Sequence, residues 1–297
     1  MNDDINFMIE NIQSRFKLVK DAAMVILTAG KDLHYSGNLI KSSMFLYQMT
    51  VLKSYSLEKF LEGITGDYPE HDFLVQKSFD PFSLDAIVRS QLEAYSWFNN
   101  LFRQHKGEEQ ELLNRLWMLA GIKRSLSFPL TNESRIDYLT NSQKELIYRI
   151  NESQIYIKMD NKQKKLVDDA IKNKEYKFKF ANGCIKKTHW QDMFTSVGLD
   201  KDYLNHAYSR LSATAHPSYF AIEQFDTLYN MDKHRVMTYY GLNLSSEIIS
   251  FLISDYCWCY FFCTEKFKTL SLEKQNTINK INIDLRGPEF AITKNNS

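Results

Sequence analysis

Apolar residues recur with a helical period along most of the chain. Between 4 and 29 they fall at Ile5, Met8, Ile9, Ile12, Phe16, Val19, Ala23, Ile26 and Leu27, one face of a long helix. The pattern returns over 38–63 through Leu39, Ile40, Met44, Leu46, Tyr47, Val51, Leu57, Phe60 and Leu61. Residues 63–81, with Gly63, Gly66, Pro69 and Pro81, then read as a loop. A third helix is expected over 84–105, with Ser83 as its N-cap and Gly107 as its break. A fourth, 108–127, is stopped by Pro129. More polar helices follow at 134–151 and 160–173. Over 175–187 the period changes: Tyr176, Phe178 and Phe180 alternate with Lys177 and Lys179, and Asn182-Gly183 signals a type I′ turn. That predicts a small β-hairpin. A short helix from Thr188 or Trp190 to about Gly198, a helix over 200–215 and a last long helix over about 232–268 complete the layout.

The expected fold class is all-α: one helical-bundle domain over 1–285 with eight to nine helices. A lateral insertion at about 150–187 carries the hairpin, and 286–297 forms a flexible polar tail. Composition agrees. Ten glycines and five prolines in 297 residues are about 5%, against a usual share of roughly 12%. Long uninterrupted elements follow, and sandwiches, propellers and Rossmann folds are disfavoured. Aromatic residues at 14% suit a thick helical core.

Charge narrows the function classes. Thirty-seven Lys and Arg stand against 36 Asp and Glu, so no global basic field draws in nucleic acid. The most apolar run, 248–262, is shorter than the roughly 20 residues of a membrane span and carries Asp255 at its centre, so a buried core helix is expected. The acidic N-terminus, MNDDINFMIENIQ, lacks the features of a signal peptide, and the expected location is cytoplasmic. Cys257 and Cys259 point about 200° apart on a helix, and no histidine stands at a matching offset from Cys259 and Cys263. Buried free thiols are expected and no metal site. The chain carries no Walker loop, GxGxxG or GxSxG, so no cofactor is called for.

The stretch 203–220, YLNHAYSRLSATAHPSYF, holds the candidate chemistry. Arg210 precedes His216 by six positions, Ser212 to Ala215 are small, and Pro217 forces a break after His216. A histidine titrates near neutrality and serves as acid or base, while an arginine neutralises charge on phosphoryl oxygens. His216 and Arg210 are therefore the candidate catalytic pair, with Tyr208 or Ser212 orienting a phosphate. On an ideal helix the pair would lie about 120° apart. Convergence demands that the helix bend or end within 212–216, or that a second copy complete the site. The alternative is a helix-terminal histidine with ordinary hydrogen bonds and Arg210 in a structural ion pair.

The Arg-x5-His spacing of Arg210 and His216 resembles the motif of the HEPN superfamily, all-helical domains of which many are metal-independent ribonucleases in toxin and antiviral systems. More closely, Trp190, Tyr208, Leu211, Ser212, His216, Pro217 and Ser218 resemble a bacterial family of unknown function that carries Tyr-x-x-Leu-Ser and His-Pro-Ser. The resemblance extends to a middle helix with Arg and Glu one turn apart, here Arg89 and Glu93. It implies RNA as substrate and a homodimer or a partner protein from the same defence module. Leu211 departs from the polar residue that usually follows the arginine in HEPN ribonucleases.

Three other groups stand out. Arg89 and Glu93, with Asp85, Ser96 and Asn100 along the edge of the same apolar stripe, form either an ion-paired strip or one wall of a polar pocket facing His216. Asp255, buried in its apolar helix, needs a donor, and His216, Arg210 or Arg89 are the expected ones. Residues 158–187 hold ten lysines against four carboxylates, Asp160, Asp168, Asp169 and Glu175. Lys177, Lys179, Lys186 and Lys187 there, with Tyr176, Phe178 and Phe180 to stack on bases, form a candidate nucleic-acid patch; the alternative is a solvated helix face and an amphipathic hairpin.

Overall fold

The computed structural model describes residues 2–30, 38–68, 73–129, 131–194, 197–214, 218–231 and 233–293. The chain divides into two compact units, Met1–Asn99 with Phe194–Ser297, and Asn100–Met193. The stretch expected as an insertion at 150–187 lies inside the second, which begins at Asn100.

The first unit is a helical assembly. Its elements are α1 (Asn2–Ala29), α2 (Asn38–Lys59), a 3-10 turn (Phe60–Glu62), β1 (Ile64–Tyr68), β2 (Phe73–Ser78) and α3 (Pro81–Phe98). They are followed, after the second unit, by α9 (Lys201–Thr214), α10 (Tyr219–Asn230), α11 (His234–Cys259), α12 (Phe261–Lys268) and α13 (Leu272–Arg286). The second unit holds α4 (Gly107–Leu126), α5 (Glu133–Asn151), α6 (Gln154–Ile157), α7 (Asn161–Asn173), β3 (Phe178–Ala181) and β4 (Cys184–Lys187). A π-helical segment, Asn99–Gln104, and the short α8, Trp190–Phe194, stand where the two units join in the sequence.

The expected all-α character holds, with more helices than the eight to nine read from periodicity. The run expected as one helix over 232–268 is divided at Tyr260, whose backbone is extended (φ −135°, ψ 108°). Neither glycine nor proline marks that break. Tyr260 is instead held by its side chain, its hydroxyl 2.6 Å from Ser43 Oγ and its ring edge-on to Tyr256. The segment 63–81, expected as a loop, contains the antiparallel pair β1–β2, with Tyr68 opposite Phe73 and an irregularity between Ile64 and Gly66. The third helix starts earlier than expected. Asp80, not Ser83, is its N-cap, accepting from the Phe82 and Ser83 amides ahead of Pro81.

In the first unit α11 is the central helix, packed on α1, α3 and α13, while α3 also packs on α2 and α9. Its buried stretch runs from Leu242 almost unbroken to Cys257, which accounts for the apolar run in the sequence. Among the described residues no helix is long and apolar enough to cross a membrane. Cys257 and Cys263 are buried free thiols, as expected, while Cys184 and Cys259 are half-buried. Of the expected flexible tail 286–297, the last four residues lie outside the described ones, and the part described is packed. Arg286, Ala291 and Ile292 are buried, and the Ile292 amide donates to Asn279 Oδ1 at 2.8 Å.

At Gly241, α11 and α3 approach so closely that an added Cβ would meet Leu84 Cδ2 at 2.2 Å. Leu84 is fully buried and cannot swing aside. Gly241→Ala should therefore cost about 1–3 kcal/mol in thermal denaturation through overpacking. An unchanged melting temperature would show that the approach is looser.

In the second unit the expected hairpin forms. Ala181 pairs with Cys184 across Asn182 (φ 54°) and Gly183 (φ 71°), the two positive angles that a type I′ turn needs. The alternation buries Phe178, Phe180 and Ile185 with Val167 and Ala170 of α7.

Candidate functional site

Helix α9 runs antiparallel to α3, so that residues rising along one meet residues falling along the other. Tyr208 sits opposite Arg89 and Glu93: the guanidinium donates to Tyr208 Oη at 3.3 Å, and the hydroxyl donates to Glu93 Oε1 at 3.3 Å. Arg89 Nε also donates to Glu93 at 3.0 Å, and its guanidinium lies 5.3 Å from the Tyr208 ring. One to two turns further, Arg210 Nη2 donates to Asp85 Oδ1 at 3.0 Å. Thr214 Oγ1 lies 3.3 Å from Asp85 Oδ2 and 3.2 Å from the Arg210 carbonyl, and it donates to one at a time. Asp85, Arg89 and Glu93 are four residues apart and form one stripe of α3.

The seam is graded in depth. Asp85 is 2% exposed. Arg210, Arg89 and Glu93 are about a quarter exposed, so the Arg89–Glu93 pair reaches water while Asp85 does not. The face of Tyr240 on α11 covers the Arg210 guanidinium at 4.2 Å. Arg210 Nε and Nη1 are shut from solvent with no acceptor among the described residues. From α2, Lys53 reaches Ser90 Oγ at 2.5 Å, and burial pulls its ammonium below the usual lysine range against the raising influence of Glu93.

Burial pushes the Asp85 carboxyl up to about 6, against the opposing influence of Arg210 and the Thr214 hydroxyl, with Asp80 adding to the rise. The folded state therefore holds this proton more tightly than the unfolded chain does. Its contribution to stability is complete below about pH 4 and is lost as pH rises through about 6, a change on the order of 2 kcal/mol. Thermal melts of wild type and Asp85→Asn should diverge across that window, with wild type losing ground as pH rises. Parallel curves would rule out a raised Asp85.

Of the residues named from sequence, Arg89, Glu93, Tyr208 and Arg210 come together on this seam. Ser212 does not: its Oγ is shut from solvent and meets no hydrogen-bond partner among the described residues, so it is not presented to a phosphate there. His216 lies outside the described residues, with Ala215 and Pro217. The expected bend or end within 212–216 falls largely outside the described residues: α9 is helical through Thr214, and Ser218 caps α10 by accepting from the Ala221 amide at 3.2 Å. Asp85 was read only as an edge residue, and its role as the partner of Arg210 had no signal in the stripe of its own helix. Thr214 and Tyr240 carried no signal either.

Asp255 belongs elsewhere. Its expected donors were His216, Arg210 or Arg89, and the structure supplies Arg286 instead, at 2.8 Å from Oδ1. Tyr95 Oη and Asn99 Nδ2 donate to Oδ2 at 3.0 and 2.6 Å. Arg286 also donates to the Val197 carbonyl at 2.7 Å and to Asn282 Oδ1 at 3.0 Å, beneath the Phe290 ring. This fully satisfied cluster is structural. Asn100, read with the α3 strip, instead donates to the Phe178 carbonyl in the second unit.

The lysine patch changes character as well. Phe178 and Phe180, expected to stack on bases, face the core of the second unit at 0% and 7% exposure. Alternation along β3 puts Lys177 and Lys179 on the opposite face. Lys177 lies 4.6 Å over the Trp190 ring and Lys187 is paired with Glu175 at 2.6 Å, which leaves Lys186 exposed on the outer strand.

Comparison of the chain with protein-family models, curated proteins and solved structures finds no match.

Proposed function

We propose that the α3–α9 seam is the phosphate-handling centre of a HEPN-like protein, a metal-independent endoribonuclease of a bacterial toxin or antiviral defence module. The observation that carries the reading is the convergence of Arg89, Glu93, Tyr208 and Arg210, from two segments more than 100 positions apart, on one seam along the last two described turns of α9. In this reading His216, two positions after Thr214 in the sequence, moves the proton at the 2′-hydroxyl or at the leaving oxygen. Arg210 brings its charge to the phosphoryl oxygens once its covered Nε and Nη1 are uncovered from beneath Tyr240, and Asp85 positions Arg210 from below without touching substrate. Arg89 and Tyr208, at the wet end of the seam, bind the flanking phosphate.

A second reading, a non-catalytic binding or sensor protein of the same kind of module, draws support from one specific observation. Arg210 is already neutralised by a buried carboxylate, which weakens its pull on a phosphate. Expression of wild type and His216→Ala in bacteria separates the two. Under the ribonuclease reading wild type arrests growth and degrades total RNA while the variant does neither. Equal growth and intact RNA for both would leave the binding reading.

A further inference from the structure

Tyr240, whose ring covers Arg210, also lines a groove of about 650 Å³ that the first unit carries between α1 and α11. Two matched stripes line it: Phe7, Met8, Asn11, Ile12 and Arg15 on α1, and Val236, Tyr240 and Asn243 on α11. The lining is mostly apolar and sits within the size range of small-molecule sites. Phe7 and Met8, at 69% and 41% exposure, lie open at one end, with no aromatic or cationic partner among the described residues.

The other end is polar and cationic. Arg15 makes no hydrogen bond among the described residues, and its nearest carboxylate, Glu247, is 3.8 Å away at the margin of an ion pair. Glu247 is engaged elsewhere, accepting from the Tyr203 hydroxyl and from Asn243 Nδ2 at 2.7 Å. Burial also pushes the Glu247 carboxyl up, against the opposing influence of Tyr203, Arg15 and Asn243. Beyond Arg15 a second hollow of about 380 Å³ continues the groove, with Lys280 and Asp284 on its rim.

We propose that this groove binds a single-chain amphiphile with a carboxylate head, the head on Arg15 and the chain along Ile12, Met8 and Val236 towards Phe7. The eight helical steps from Phe7 to Arg15 span about 12 Å, comparable to the extended length of dodecanoate. Tyr240 both lines the groove and stacks on Arg210 at 4.2 Å, so occupancy of the groove is transmitted to the seam through that ring. This goes beyond the ribonuclease reading, because binding is measured without any RNA.

The test is calorimetric titration of the full-length protein with dodecanoate below its micelle concentration, with acetate and dodecyltrimethylammonium as controls. Saturable one-to-one binding of dodecanoate alone is expected, weakened about ten-fold in Arg15→Gln and abolished in Met8→Glu, which places a charge on an exposed position of the chain path. Circular dichroism confirms that both variants fold. In parallel, the ¹⁵Nε resonance of Arg210, assigned with Arg210→Lys, should shift on addition of dodecanoate in wild type and stay fixed in Tyr240→Leu. Absence of saturable binding, equal binding of the cationic amphiphile, or indifference to both Arg15→Gln and Met8→Glu would overturn the site. An unmoved Arg210 resonance at saturation would overturn the link to the seam.

Discussion

Arg286→Met is expected to lower the melting temperature by roughly 10 °C, the counterpart of about 3–5 kcal/mol for an uncompensated buried carboxylate. Asp255 is wholly shielded from water and is paired with the equally buried Arg286 at 2.8 Å. Tyr95 and Asn99 would still donate to it, but two neutral donors do not replace a guanidinium in a medium of low polarity. The double variant Asp255→Leu/Arg286→Met removes both charges, and it should be more stable than Arg286→Met alone. The reason is that the cost comes from the orphaned partner and not from the loss of attraction itself. A double variant whose loss equals the sum of the two single losses would show that the pair is not coupled.

The second large effect concerns the seam. Under the proposed reading Arg210→Lys should reduce RNA cleavage by about 10²–10³-fold while leaving the melting temperature within a few degrees. Lysine keeps a positive charge beside Asp85, so the buried carboxylate is not abandoned. It loses the planar fork that reaches Asp85 and a phosphate together, and it stacks less well on Tyr240. A variant with undiminished cleavage would remove Arg210 from the chemistry and return it to the structural ion pair.

The long helices were legible because each buries one stripe, and a stripe of period 3.6 needs only local sequence to be seen. The Asn182-Gly183 turn was legible for a similar reason, since two successive positive φ angles suit those residues. What escaped was the pairing of distant positions. The need of Asp255 for a donor could be deduced from its apolar neighbours. Its donor stands 31 positions later, at the start of a stretch whose Arg286 and Glu289 read as a polar tail. Asp85 looked like the rim of a stripe because the pattern of α3 reports its own helix and not α9 lying over it. Phe178 and Phe180 show the reverse limit. Alternation revealed two faces of the strand, but not that the lysine face was outward and the aromatic face was the core. The Arg89–Glu93–Tyr208 grouping was foreshadowed by the family resemblance and not by periodicity, since 115 positions separate Glu93 from Tyr208.

The central claim, that the α3–α9 seam and His216 work on RNA phosphates, is tested most directly by incubating purified wild type and His216→Ala with end-labelled RNA in the presence of a chelator and identifying the new termini. The account predicts cleavage by wild type that survives chelation and leaves 2′,3′-cyclic phosphate ends, reduced by about 10²–10⁴-fold in His216→Ala. RNA left intact by wild type, or cut equally by both proteins, would contradict it.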